Sequence, residues 1–151
     1  MADAIIEIIG QDDAPTIVEL YNQVFRPAQD VARFRRLCTG RYNLLQMLAR
    51  VGDRPVGFFV GMELDPQTFG GLTCGVHPDF RRQGIATQLF EAMHEWARGR
   101  HYEAMRIECP ATAAPMMHLA LDQGYLVTGV RCDAAGGSNH VVLEKDLTLE
   151  A

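Results

Sequence analysis

Between residues 69 and 109 the chain passes from an extended segment through a polar loop into a strongly amphipathic helix and back to an extended segment. Few architectures accept that order in so short a span. Phe69 to His77 reads as a strand stopped by Pro78, and Asp79 to Gln83 is polar. From Gly84 the apolar residues Ile85, Leu89, Phe90, Met93 and Trp96 keep a helical spacing to about Arg100. Met105, Ile107 and Cys109 then alternate with Arg106 and Glu108, the period of a strand with one buried face. A strand, helix and strand joined in this way form a parallel pair with a crossover.

The flanking segments point to antiparallel neighbours. Ile5 to Ile9 is a short strand, and Asp12 and Asp13 are placed to cap a helix carrying Ile17, Leu20, Tyr21 and Val24, which Pro27 ends. A second helix spans Val31 to Leu37. Tyr42 to Val51 and Val56 to Leu64 read as a hairpin about Gly52-Asp53-Arg54-Pro55, and Asp65 to Thr68 turns into the strand from Phe69. After a loop from Pro110 to Pro115, Met116 to Gln123 forms a helix closed by Gly124. Tyr125 to Cys132 and Val141 to Leu147 are the last strands, joined by a loop over Asp133 to His140. The expected fold is α/β in the α+β sense: one domain over residues 1–151, with a mixed, mostly antiparallel sheet of about seven strands, helices on both faces and one central β-α-β crossover.

Composition narrows the function. With 48% hydrophobic and 22% charged residues the chain can build one sizeable core, and disorder is excluded. The net charge of −5 argues against nucleic acid, and no apolar run reaches the length of a membrane span, so a cytoplasmic location is the default expectation. Cys38, Cys74, Cys109 and Cys132 stand far apart without zinc-site spacing, so reduced thiols and no metal are expected. Seven arginines lie between Arg26 and Arg54 against Asp30 and Asp53. That cluster reads as a solvated face, the alternative being attraction of an acidic acceptor.

The loop itself is an anion-binding geometry. Val76-His77-Pro78 is followed by Arg81-Arg82-Gln83-Gly84-Ile85-Ala86-Thr87, which sets a glycine at a helix start directly after a sheet strand. The first amides of a helix lack internal acceptors and its dipole favours negative charge. Neither G-x-x-x-x-G-K-S/T nor G-x-G-x-x-G is present.

In these residues the sequence resembles the GNAT superfamily of N-acetyltransferases, whose signature Q/R-x-x-G-x-G/A follows a strand ending V-x-P. The resemblance implies an acetyl-CoA or longer acyl-CoA donor with its diphosphate on the amides of the Arg81, Arg82, Gln83, Gly84, Ile85, Ala86 and Thr87 segment. Its pantetheine arm would pair with the backbone of Cys74, Gly75 and Val76. It also implies a bulge that splays this strand from its parallel neighbour, for which Gly75 is well placed.

Transfer to an amine needs a base and stabilisation of the oxyanion. Glu108 stands where relatives resembling ribosomal-protein alanine acetyltransferases carry a glutamate base; otherwise it is a solvent-facing residue paired with Arg106 or with nothing. Those relatives have asparagine at the position of Ala113 and tyrosine at that of Ala120, positions which a continuous helix would project the same way. His118 points elsewhere and reads as structural, and His77 ends the central strand beside the loop. The expected activity is acetyl-CoA-dependent N-acetylation of a primary amine by direct attack, with Glu108 as base; the rival reading is an inactive acyl-CoA-binding module. A homodimer is expected if the final strand, His140 to Leu147, is an exposed edge.

Overall fold

The computed structural model describes residues 3–132 and 139–149. The chain order is β1 (Ile5–Ile8), α1 (Ala14–Val24), α2 (Val31–Cys38), β2 (Leu45–Val51), β3 (Arg54–Asp65), β4 (Thr68–Val76), α3 (Ile85–Gly99), β5 (Ala104–Pro110), α4 (Ala114–Asp122), β6 (Leu126–Cys132) and β7 (Asn139–Asp146). One sheet takes all seven strands in the order β1-β2-β3-β4-β5-β7-β6. Every neighbouring pair is antiparallel except β4 and β5, which are parallel across the α3 crossover. Residues 133–138 of the expected glycine-bearing loop lie outside the described residues. No described helix is long and apolar enough to cross a membrane.

Helices cover the sheet unequally. On one face, Ile17, Val18 and Leu20 of α1 and Phe34 and Cys38 of α2 pack on Leu48, Phe58 and Val60. That cluster includes no residue of β5, β6 or β7. On the other face Ile85, Leu89, Phe90, Met93 and Ala97 form a continuous stripe along α3 and pack with Phe59, Phe69, Met105, Ile107, Cys109 and Leu143. Ala120 of α4 joins this second core. The α1/α2 face of β5 and β7 therefore stays open and carries the ion pair of Arg106 with Glu144, at 3.1 Å.

Capping follows local chemistry at α2, where the Asp30 carboxylate accepts from the Arg33 amide at 2.7 Å. At α1 the expectation fails: Asp12 and Asp13 sit in a 3-10 turn and neither side chain caps, while Pro15 occupies the first helical turn. The strand expected from Tyr42 begins only at Leu45, because Tyr42 and Asn43 form a turn with Asn43 at φ 55°. The Asn43 side-chain amide there donates to the Tyr102 hydroxyl at 2.6 Å.

A larger correction concerns the edge. The last strand is not exposed at the end of the sheet: β7 inserts between β5 and β6 and pairs with both. A two-fold pairing through His140 to Leu147 is excluded by that position. The edge belongs to β6, where Leu126, Val127 and Val130 are exposed.

Candidate functional site

A cleft of about 670 Å³ opens where β4 and β5 separate. The two strands pair only over Thr68–Ala104, Phe69–Met105 and Gly70–Arg106. Phe69 pins this closed end, buried against Trp96 and Tyr102 with ring centroids 5.0 and 5.2 Å away. Beyond it the strands diverge, and Gly71, Leu72, Thr73 and Cys74 of β4 face Ile107, Glu108, Cys109 and Pro110 of β5 across the gap.

The bulge that bends β4 is at Leu72, not at Gly75. Val60 pairs with Thr73 and Gly61 with Gly71, so Leu72 is the extra residue. Gly75 stays in register opposite Phe58. It is glycine for packing, since a Cβ there would lie 2.9 Å from Phe58 Cε1 and 3.2 Å from Phe25 Cε2. The bulge expected at Gly75 lies instead at Leu72, directly after Gly70-Gly71, because pairing with β3 sets where the register shifts.

At the open end, β4 runs into the loop. The His77 imidazole accepts from the Asp79 amide at 3.1 Å, and Arg81 and Gln83 reach back to the carbonyls of Val76 and Asp79. Arg54 lies over the Phe80 ring, 5.0 Å from its centroid. Gly84 adopts φ 79° and Arg82 φ 63°, which turns the chain sharply into α3. The first bond into the helix runs from the Gln88 amide to the Gly84 carbonyl at 3.1 Å. Among the described residues, the amides of Arg82 to Thr87 reach no protein acceptor, and no side chain caps this helix. An unsatisfied helix N-terminus entered through two left-handed residues is a cradle for a phosphate group. From Gly71 to Val76 the β5-facing edge of β4 also lacks a strand partner, so its backbone can pair with an extended ligand. These observations fit the residues Cys74, Gly75, Val76 and Arg81 to Thr87 to a CoA-type donor.

At the other wall, Glu108 lines the cleft but pairs with Arg131 rather than Arg106: the guanidinium donates from Nε and an Nη to the two carboxylate oxygens at 3.2 Å each. With side-chain exposures of 38% and 55%, this pair is wet and contributes little to stability. His140 completes the group. It follows from the register, which sets Arg131 opposite His140 and His140 opposite Pro110. The His140 Nδ1 is buried with no hydrogen-bond partner among the described residues. Neither Arg131 nor His140 emerges from sequence reasoning, since nothing in local spacing shows that β7 inserts beside β5.

Ala113 lines the cleft, but it precedes α4 as its N-cap with φ −86° and ψ 66°, whereas Ala120 is fully buried in the core. The expected shared helical face therefore does not exist. His118 is exposed and away from the cleft. Met116 lines it, as do Tyr21 of α1 and Phe25 just after that helix. Burial pushes the Cys74 thiol up to about 12 and raises that of Cys109 as well, so neither cysteine in the cleft supplies a thiolate at neutral pH.

The arginine cluster has local employment. Arg26 and Arg41 donate to carbonyls at the ends of α1 and α2, Arg35 to the Gln11 carbonyl, and Arg50 pairs with Glu7. Among the described residues no group of three His, Cys, Asp or Glu side chains could hold a metal ion.

The model of the acetyltransferase (GNAT) family matches residues 14–125. Among solved structures, the chain is similar to the ribosomal-protein-S18-alanine N-acetyltransferase of Escherichia coli (15% identity, 99% of this chain and 97% of that one, TM-score 0.84). It is likewise similar to Ard1 of Thermoplasma volcanium (18%, 97% and 99%, 0.84) and to a GNAT family acetyltransferase of Elizabethkingia anophelis with acetyl-CoA bound (16%, 97% and 99%, 0.79). No curated protein matches the sequence. At these identities the structural likeness speaks for the fold.

Proposed function

The chain belongs to the acetyltransferase (GNAT) family, and on that premise we propose that it moves the acetyl group of acetyl-CoA to a primary amine by direct attack within a ternary complex. One observation carries the reading: β4 lines the cleft opposite Glu108 from Gly71 to Cys74 and then runs on into the loop whose amides at the start of α3 are unsatisfied. The donor is the family's acetyl-CoA. Its diphosphate would rest on the amides of Arg82 to Thr87, and its extended arm on the β4 edge from Cys74 to Val76.

In the reaction the amine nitrogen bonds to the thioester carbonyl carbon and the carbon–sulfur bond breaks, leaving CoA as the thiolate. Glu108 takes the proton lost by the amine, directly or through one water. Arg131 holds that carboxylate against the cleft wall through the hydrogen bonds from its Nε and Nη2. A thiol with a pKa near 8.5 leaves readily without a dedicated acid, so alanine at position 120 is compatible with turnover. The raised thiols of Cys74 and Cys109 favour direct attack over an acetyl-cysteine step. The family match favours this reading over an inert acyl-CoA-binding module.

Titration calorimetry with acetyl-CoA, followed by a screen of primary amines for CoA release, tests the proposal. We expect micromolar binding, about −8 kcal/mol, and release with at least one amine class. No binding at millimolar acetyl-CoA, or release unaffected by Glu108→Gln, overturns it.

A further inference from the structure

A second cavity, of about 540 Å³, lies between α3, the end of α4 and β7, and shares no lining residue with the cleft. Its floor is cationic. Arg98 donates from Nε to the Leu147 carbonyl at 3.1 Å, and its Nη2 is buried with no hydrogen-bond partner among the described residues. Lys145 Nζ donates to the Gln123 carbonyl at 2.6 Å and crowds Gly124, where a Cβ would come within 2.7 Å of it. Burial and the charge of Arg98 both press Lys145 toward its neutral form. Among the described residues, neither cation has a carboxylate oxygen within 4 Å.

The wall and mouth differ from the floor. His94, 3% exposed, closes one side with its Nε2 on the Tyr125 hydroxyl at 2.7 Å. Burial, and then Lys145 and Arg98, hold it neutral down to about pH 4. Glu91, Glu95 and Asp122 line the mouth and are exposed. A buried guanidinium nitrogen without an acceptor beside a second partly dehydrated cation costs free energy that an oxyanion would relieve. A simple anion would have to pass three carboxylates, and a multiply charged phosphate would be repelled most.

We propose that this cavity is a ligand site for a small zwitterion of the free amino acid class, its carboxylate toward Arg98 and Lys145 and its ammonium toward Glu91, Glu95 and Asp122. The site is independent of the reading given to the cleft, and it matches both ends of such a ligand where an anion or a cation matches only one.

The test is nuclear magnetic resonance titration of the full chain with glycine, acetate and inorganic phosphate, following the Arg98 Nε–H and the Gly124 amide. We expect saturable shifts with glycine at millimolar concentration, with a Kd at least about fivefold below those of acetate and phosphate. Lys145→Gln and Arg98→Lys each weaken glycine by about tenfold or more, with the remaining spectrum unchanged. Should Arg98→Lys disturb the Leu147 contact and the fold, Lys145→Gln decides. Absence of saturation with glycine, acetate or phosphate binding as tightly as glycine, or unchanged glycine affinity in a folded variant overturns the proposal.

Discussion

The loop into α3 and the cleft wall at β5 are built from different materials. At the start of α3 the available groups are backbone amides from one contiguous stretch, Arg82 to Thr87, aimed by left-handed residues and a helix start. At the β5 wall they are the side chains of Glu108, Arg131 and His140, drawn from three strands. A backbone cradle tolerates change in its own side chains as long as the turn forms. A side-chain group assembled across a sheet depends on register, because a slip of one residue would carry Arg131 to the opposite face. The same contrast runs through packing: β2 to β4 lie between two helical layers, whereas one face of β5 and β7 is open and the edge strand β6 is exposed along nearly its whole length.

Five measurements break or sharpen that contrast. Phe69→Ala, at the fully buried point where both halves are pinned, should cost about 3–5 kcal/mol of unfolding free energy in urea titration. A loss below 1 kcal/mol would mean that the aromatic cluster does not hold the strands together. Next comes proton linkage at His94, whose folded-state pKa of about 4 lies below the unfolded value near 6.5, first through burial and then through Lys145 and Arg98. A depressed pKa contributes stability that is complete above pH 6.5 and lost as pH falls towards 4, by roughly 3 kcal/mol. His94→Gln should flatten that slope in unfolding curves taken across the window; an unaltered slope would refute the assignment.

Glu108→Gln should lower kcat by about a hundredfold while leaving acetyl-CoA affinity unchanged. Gly84→Val should do the reverse, weakening acetyl-CoA by about tenfold through strain at positive φ with kcat at saturating donor preserved. Calorimetry and steady-state kinetics on both variants separate the two regions; if each substitution moves both parameters together, the proposed donor and proton-transfer groups are not divided as described. The smallest effect is expected at Val130→Ala on the edge strand, within about 0.5 kcal/mol because the side chain is already 62% exposed. A larger loss would show that β6 is covered in solution.

Much of this molecule is a property of short stretches of chain. The alternation of Met105, Ile107 and Cys109, the α3 stripe from Ile85 to Ala97, the stop at Pro78 and the left-handed turn at Gly84 each depend on sterics and periodicity within a few residues, so the crossover and the anion cradle are legible without coordinates. Where β4 bulges is not local: Leu72, rather than Gly75, is displaced because β3 sets the pairing on that edge. Likewise Ala113 and Ala120 part company because the helix begins at Ala114, one residue later than their spacing supposes. The insertion of β7 between β5 and β6, which moves the sheet edge to Leu126–Cys132 and brings Arg131 and His140 to Glu108, is decided by packing and hydrogen bonding between strands distant in sequence. Sequence alone thus determined the elements and the backbone-made half of the proposed site. Tertiary structure decided the half made of side chains, since strand order and register are set by contacts that no single stretch of the chain contains.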